Sequence, residues 1–234
     1  MKTMIVSDFA TLRPTLVQLV GICTVVALFM GYATGAVASG AAAVAAMTPF
    51  MLLFSLAAID EQGGWERFRL TLPVTRRQVV FGRYATLGII AVATIAFALA
   101  LSFATLAVLS LLPAPVVPAG LAPAENPPAA IIGGVVGGVC VIMVGMAVAL
   151  PLIMRFGMTK ATRLVPAVVV IFLALGVGFF GEGIQPAGAL ADFMQWLDTG
   201  SNYLVAAALM VAAAAVIYGA SALVAAKLYE QRTF

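Results

Sequence analysis

Five long uncharged stretches dominate the amino-acid sequence and limit what it can fold into. They run over 14–59, 84–124, 126–154, 164–181 and 199–226. A helix needs about 20 consecutive apolar residues to cross a bilayer. Hydrophobic residues make up 64% of the chain and charged residues 9%, which excludes an ordinary soluble domain. We therefore expect an all-α integral membrane protein.

The uncharged stretches predict six transmembrane helices. The first stretch is long enough for two spans, with a break near residues 31–35, and the second holds one span and a proline-rich tail. A chain of 234 residues leaves no room for a separate soluble domain, so residues 1–234 are expected to form a single transmembrane domain. The predicted spans are about 15–32, 38–58, 84–112, 129–153, 164–181 and 202–226.

The distribution of Lys and Arg predicts the orientation. All twelve basic residues lie at the two termini or in the connections that follow the second and fourth predicted spans. The opposite connections carry only acidic charges, at Glu125, Glu182, Asp192 and Asp198. Lys and Arg concentrate in the cytoplasmic loops of membrane proteins. We therefore expect both termini and the segment 59–83 to face the cytoplasm.

The residues before the first span favour a short helix of their own. Met4, Ile5, Phe9 and Leu12 follow a near-helical spacing, with charged residues between them. This pattern is typical of an amphipathic helix that lies on the cytoplasmic surface of the membrane. A frayed tail is the alternative.

The sequence Ala36-Val-Ala38 resembles a signal-peptidase site that follows an apolar core. The basic region before that core is unusually long and contains Asp8, so we expect residues 1–38 to be retained. The intact mass of the purified protein distinguishes the two outcomes.

The two connections on the external side differ in character. Residues 113–128 contain six prolines, which predicts an extended connection without helix. In the second connection an apolar stripe at i, i+3, i+4 and i+7 predicts a short external helix. This helix is either a lid over an outward exit or an interfacial connector anchored by Trp196. The stripe consists of Leu190, Phe193, Met194 and Leu197.

The segment 59–83 holds eight of the chain's 21 formal charges. Trp65, Phe68 and Leu72 have the spacing of one helical face, and Pro73 would end that helix. The run from Thr75 to Gln78 has the pattern of a capping box, in which the two side chains satisfy free backbone N–H groups at a helix start. A second helix is therefore expected to begin at Arg76 and to continue into the third span.

Two interpretations of this segment stay open. Basic residues in a long cytoplasmic loop can serve only topology and contact with lipid headgroups. However, anionic headgroups would repel Asp60, Glu61 and Glu66. Mixed charge beside Trp65 and Phe68 is more typical of a protein interface, where aromatic residues and Arg supply much of the binding energy.

The same segment resembles the signature loop of small permeases of the type-2 ABC exporter class. This class includes six-span permeases associated with export of, or immunity to, bacteriocins and antimicrobial peptides. The recurring pattern is an acidic residue, Gly-Trp-Glu, an apolar stretch, Leu-Pro with an optional Val, Ser or Thr, Arg, a small polar residue and a Val/Ile-rich entry into the next span. The matching residues are Glu61, Gly64, Trp65, Glu66, Leu72, Pro73, Val74, Thr75, Arg76, Gln78, Val79 and Val80.

The resemblance implies a multi-pass permease of the bacterial plasma membrane that works as a homodimer or heterodimer with cytosolic ABC ATPase subunits. The loop after the second span would be the coupling helix that contacts the ATPase. ATP and Mg would bind to that partner, and this chain would hold no cofactor. The implied coupling residues are Glu61, Gly64, Trp65, Glu66, Arg67, Phe68, Arg69, Leu72, Pro73, Thr75, Arg76 and Arg77.

The sequence agrees with a transport subunit that is not itself an enzyme. No G-x-x-x-x-G-K-[ST] phosphate loop occurs, so energy from ATP must come from another chain. The chain has no histidine, which removes the commonest catalytic groups. Cys23 and Cys140 lie in apolar runs, where they are expected to be small buried hydrophobes.

Spans without charge favour a hydrophobic or amphipathic substrate such as a peptide, a lipid or a drug. They argue against a secondary transporter driven by ions, which usually carries ionisable groups at membrane depth. A membrane scaffold or immunity subunit that transports nothing is the main alternative. Membrane lipid is an expected partner, and nucleic acid is not.

Overall fold

The computed structural model describes residues 2–63, 75–113, 117–157 and 202–231, together with Gly188, Asp192 and Trp196. Within these residues the fold is helical and contains no strand. Five of the described helices are long and apolar enough to cross a membrane. They are α1 (Lys2–Thr34), α2 (Val37–Gln62), α3 (Arg76–Leu111), α4 (Pro128–Phe156) and α5 (Asn202–Glu230).

Each of these helices contains one predicted span, because long apolar runs satisfy their backbone groups in lipid most readily as helices. The predicted span over 164–181 lies outside the described residues. The stripe of the predicted external helix, Leu190, Phe193, Met194 and Leu197, also lies outside them. Its neighbours Asp192 and Trp196 are described and are helical.

Helix α2 is the centre of the described bundle and packs against α1, α3 and α4. Helix α5 packs against α4 and α3. Helices α1 and α3 begin at the same end of the bundle, where α2, α4 and α5 end. We call this the charged end, since Arg83, Asp60 and Glu230 lie there. The opposite end, formed by the α1–α2 turn and the connection 117–127, is the proline-loop end.

Small residues bring the helix backbones close together. A Cβ atom at Gly40 would lie 2.2 Å from the carbonyl oxygen of Ala27, so α1 and α2 approach within the space that only glycine leaves. A Cβ atom at Gly138 would lie 2.7 Å from the carbonyl oxygen of Ala42, which gives the same close approach between α4 and α2. Interfaces of this kind are typical of helices that associate in lipid.

The prediction of a separate amphipathic helix before the first span is wrong. Residues from Lys2 onward continue the first span as one helix of 33 residues, with Pro14 inside it. Met4, Asp8 and Leu12 are buried, because this turn of α1 packs on α3 instead of lying on lipid. At 1.5 Å per residue the helix is about 50 Å long, well beyond the roughly 30 Å of the hydrocarbon core.

The prediction that the proline-rich connection is free of helix is also wrong. The connection contains two short 3-10 helices, Ala119–Leu121 and Pro123–Glu125. Proline fixes φ near the value that a 3-10 turn requires, so prolines at the start of such turns favour them. Residues 117–127 therefore form a compact cap on the helix ends.

Asn126 holds this cap in place. Its side-chain oxygen accepts a hydrogen bond of 2.8 Å from the backbone N–H of Val37 at the start of α2. Its amide nitrogen donates to the carbonyls of Gly120 and Ala122 at 2.9 and 3.1 Å. Gly35, in the α1–α2 turn, has a φ of 68°, and Gly120 lies directly against it. One buried amide thus joins two connections.

Candidate functional site

Helix α3 begins at the capping box that the sequence predicted. The backbone N–H of Gln78 donates to Thr75 Oγ1 at 3.3 Å, and the N–H of Thr75 donates to Gln78 Oε1 at 3.1 Å. Thr75 has an extended backbone, as a residue at this position should. The N-terminal end of α3 is therefore fixed by side chains of its own first turn.

The first turn of α3 is joined to the last turn of α5. Arg76 Nη1 donates to the backbone carbonyl of Glu230 at 2.8 Å. Arg77 Nε donates to Glu230 Oε1 at 2.6 Å, in an ion pair that is largely open to solvent. Because the last carbonyls of a helix lack partners and carry partial negative charge, a guanidinium there satisfies both needs.

About two turns further along α3, Arg83 is buried between two carboxylates from other helices. Its Nη2 donates to Asp60 Oδ2 near the end of α2. Its Nη1 lies 3.4 Å from Asp8 Oδ1 on α1. Thr86 Oγ1 also donates to Asp8 Oδ2 at 3.2 Å. We call Asp8, Asp60 and Arg83 the charged triad; it joins α1, α2 and α3 at one point.

Burial decides how strongly this triad constrains the helices. Arg83 is 4% exposed and Asp8 is 1% exposed. A buried ion is costly to separate from its counter-ion, whereas an exposed pair contributes little. The triad therefore fixes the relative positions of three helices far more firmly than the exposed pair of Arg77 and Glu230 fixes α3 and α5.

Tyr84 extends the contacts of α3 to the remaining helices. Its hydroxyl lies 2.9 Å from Ser221 Oγ of α5, and Ser221 in turn donates to the carbonyl of Ala147 on α4. The hydroxyl of Tyr218 donates to the backbone carbonyl of Tyr84 at 3.1 Å. Within its first nine residues, α3 thus makes side-chain contacts that lead to all four of the other described helices.

An apolar cleft lies between α1 and α3, with α2 as its floor. It holds two cavities of about 180 and 200 Å³, one nearer each end of the bundle. Thr94 and Ser102 face this cleft, but each donates its hydroxyl proton to a carbonyl of its own helix. The lining is otherwise almost entirely apolar; Phe9, Leu19, Phe97, Leu28, Tyr32 and Leu109 are among its larger side chains.

The predicted coupling residues fall into two groups. Glu61 is exposed in the last turn of α2, and Thr75, Arg76 and Arg77 lie at the start of α3. The structure therefore brings the flanks of the segment to the charged end of the bundle. The rest lie outside the described residues, namely Gly64, Trp65, Glu66, Arg67, Phe68, Arg69, Leu72 and Pro73.

Sequence reasoning missed the charged triad. Asp60 and Arg83 stand just outside the predicted spans, and Asp8 was assigned to the polar side of an interfacial helix. Yet Asp8 lies four residues after Met4 and four before Leu12, which places all three on one buried stripe of α1. A carboxylate on the buried stripe of a helix signals a cationic partner on a neighbouring helix.

The sequence was compared with models of known protein families. A family model described as ABC-2 family transporter protein matches residues 3–230, a range that takes in nearly all of the chain. A comparison with curated proteins found no match. The matched range includes the capping box, the charged triad and the apolar cleft.

Proposed function

Since the chain belongs to the ABC-2 family of transporter proteins, we propose that it is the membrane-spanning permease subunit of an ATP-driven exporter. A separate cytosolic ATPase would drive it through the segment between α2 and α3. In this proposal ATP and Mg bind to the partner, because the sequence contains no phosphate-loop motif.

One structural observation supports the proposed coupling role. The first residues of α3, where the proposed coupling segment joins the bundle, make contacts that lead to the four other long helices that the structure describes. Arg76 holds the end of α5, and Arg83 contacts both α1 and α2. Packed helices with buried ion pairs move as units instead of deforming continuously. A displacement delivered to the start of α3 would therefore reach the whole bundle.

The direction of the chain supports the proposed topology. Cys140 and Ala147 of α4 lie beside Ala214 and Ser221 of α5, so these two helices run the same way. A six-span arrangement requires this of its fourth and sixth spans. Among the described residues, Arg76, Arg77, Arg83, Arg155 and Lys227 lie at the charged end, so that end would face the cytoplasm and the proline-loop end would face outward.

The apolar cleft between α1 and α3 supports a hydrophobic or amphipathic substrate. The hydroxyl groups of Thr94 and Ser102, which line the cleft, donate within their own helices, so they offer little to a sugar or an ion. The resemblance of residues 61–80 to permeases for antimicrobial peptides makes amphipathic peptides the first substrates to test. The same resemblance implies a homodimer or heterodimer.

The test is co-purification from native membranes followed by an ATPase assay of the complex. We expect a cytosolic ATPase to bind the wild-type chain, and Trp65→Ala or Glu66→Arg to weaken that binding or the stimulated hydrolysis while membrane insertion is unchanged. Trp196→Ala, which alters the other tryptophan of the chain, should behave as wild type. Unchanged complex formation and hydrolysis in both variants would contradict the coupling role.

A further inference from the structure

We propose that Arg83 is a positioning residue that clamps the start of α1 to the start of α3, so that both helices move as one body during transport. This inference rests on the proposed function, since it assigns a path for the displacement that the ATPase would deliver. It specifies which contact holds α1, the helix most distant in sequence from α5, to the start of α3.

The clamp lies where α1 and α3 touch. At the charged end a Cβ atom at Gly82 would be only 3.0 Å from Met4 Cβ, so the two backbones are in close contact. Toward the middle of the two helices the apolar cleft separates them. The side-chain contacts of Asp8 with Arg83 and Thr86 are therefore placed at the point where α1 can be held to α3.

The geometry of the guanidinium suits this role. One guanidinium nitrogen, Nη2, donates to Asp60, and the other, Nη1, lies within ion-pair distance of Asp8 without forming a hydrogen bond, so one cation contacts carboxylates of two different helices. A slide of α1 by a single residue would move Asp8 about 1.5 Å along the helix axis and disrupt its contact with Nη1. Because Arg83 and Asp8 are almost fully buried, weakening their ion pair costs more than it would at the surface, so the slide is opposed.

A pair of introduced cysteines measures the clamp directly. In a background with Cys23→Ala and Cys140→Ala, the substitutions Met4→Cys and Gly82→Cys place two thiols across the α1–α3 contact. The Cβ atoms must part by about half an ångström to reach disulfide geometry. We expect mild oxidation in lipid nanodiscs to link the pair quickly, and Asp8→Asn to slow that reaction by about tenfold or more.

The matched control is Glu125→Gln, the same carboxylate-to-amide change at an exposed position of the proline-loop end. It should leave the rate of disulfide formation unchanged. An equal rate with and without the Asp8→Asn substitution would overturn the proposal. This measurement needs neither the ATPase nor a substrate. It therefore tests the contact between α1 and α3 even if the proposed transport function is wrong.

The second readout is ATP hydrolysis by the complex with its ATPase, relative to the ATPase subunit alone. Asp8→Asn should lower the stimulation by about tenfold. The disulfide between the two introduced cysteines should preserve stimulation when Asp8 is present and restore it in Asp8→Asn, because a covalent clamp replaces the ionic one. Reduction with dithiothreitol should reverse the restoration.

Two results would contradict the clamp. Loss of stimulation when the disulfide is present together with Asp8 would mean that α1 must part from α3. Full stimulation in the unlinked Asp8→Asn protein would mean that the contact is not needed. If Asp8 only stabilised the fold, Asp8→Asn would lower the amount of folded protein. Formation of the disulfide would then not restore the stimulation of ATP hydrolysis, and dithiothreitol would have nothing to reverse. Absence of any ATPase complex in wild type would instead contradict the proposed function.

Discussion

The two ends of the bundle are held together by different interactions. At the charged end, side chains of opposite charge join helices that are far apart in sequence, as Arg83 does with Asp8 and Asp60. At the proline-loop end, the neutral side chain of Asn126 and the backbone contact of Gly35 with Gly120 join two connections. The charged end relies on ionic contacts between helices, and the opposite end on close neutral packing.

This difference indicates what each end tolerates. Ionic contacts depend on charge, so the charged triad should be most sensitive to removal of a charge. Contacts between backbones depend on shape, so the proline-loop end should be sensitive to single added atoms. The following predictions test that division, from the largest expected effect to the smallest.

Removal of the buried cation should have the largest effect. Arg83→Met leaves two buried carboxylates without it and should lower the free energy of unfolding by about 3–5 kcal/mol. Arg77→Met, at a guanidinium whose side chain is 66% exposed, should cause no measurable change. Thermal unfolding in detergent, followed by the reactivity of the buried thiols of Cys23 and Cys140, measures both. Equal stability of the two variants would show that burial of the triad does not matter.

A single methyl group should disturb the opposite end. In Gly120→Ala the new Cβ would lie 2.5 Å from the carbonyl oxygen of Gly35, so two backbones must separate, at a cost of about 1–3 kcal/mol. Gly133→Ala in α4 is the control, since its Cβ would meet nothing within 4 Å and alanine favours the helix. The same unfolding assay applies. A Gly120→Ala protein as stable as the control would remove the evidence for shape dependence.

Two substitutions of Asn126 distinguish the effect of neutral hydrogen bonds on stability from the effect of a charge. Asn126→Ala should cost about 1–2 kcal/mol because the N–H of Val37 and two carbonyls lose their partner. Asn126→Asp keeps an acceptor for Val37 but turns a carboxylate oxygen toward the carbonyls of Gly120 and Ala122. It should be no more stable than Asn126→Ala at neutral pH, and should gain stability as the pH falls, because a protonated carboxyl can donate. A fully stable Asn126→Asp protein at neutral pH would contradict this account.

Loss of the cap on α3 should have the smallest effect. Thr75→Ala removes the acceptor for the N–H of Gln78 and should cost about 1 kcal/mol, while Thr75→Ser retains the hydroxyl and should cost less. Hydrogen exchange of the amides near Gln78, measured by mass spectrometry, should increase in Thr75→Ala only. Equal exchange in the two variants would indicate that contacts with α5 alone hold this end.

The sequence alone was sufficient to predict the features that depend only on residues close to one another in the chain. Long apolar runs predicted the described helices, because a backbone in lipid has few other ways to pair its polar groups. The spacing of Thr75 and Gln78 predicted where α3 begins, because a capping box involves only residues within one turn. The burial of Cys23 and Cys140 followed from the runs that contain them.

The features that sequence reasoning missed depend on which helix faces meet. The partnership of Asp8 with Arg83 joins residues 75 positions apart, and nothing local to either one specifies the other. The single helix from Lys2 to Thr34 was missed because the charges among the first residues, at Lys2, Asp8 and Arg13, suggested a separate amphipathic helix. The cleft between α1 and α3 is a property of packing and leaves no pattern in either helix alone.

The capping box of α3 also bears on the thermodynamics of assembly. A helix end that is free and frayed must lose conformational entropy when a partner docks beside it, and that loss weakens the complex. Thr75 and Gln78 satisfy the first N–H groups of α3 within the chain itself, so this end is ordered beforehand. An ATPase that docks next to it would gain its contact energy without first having to order the helix that receives its movement.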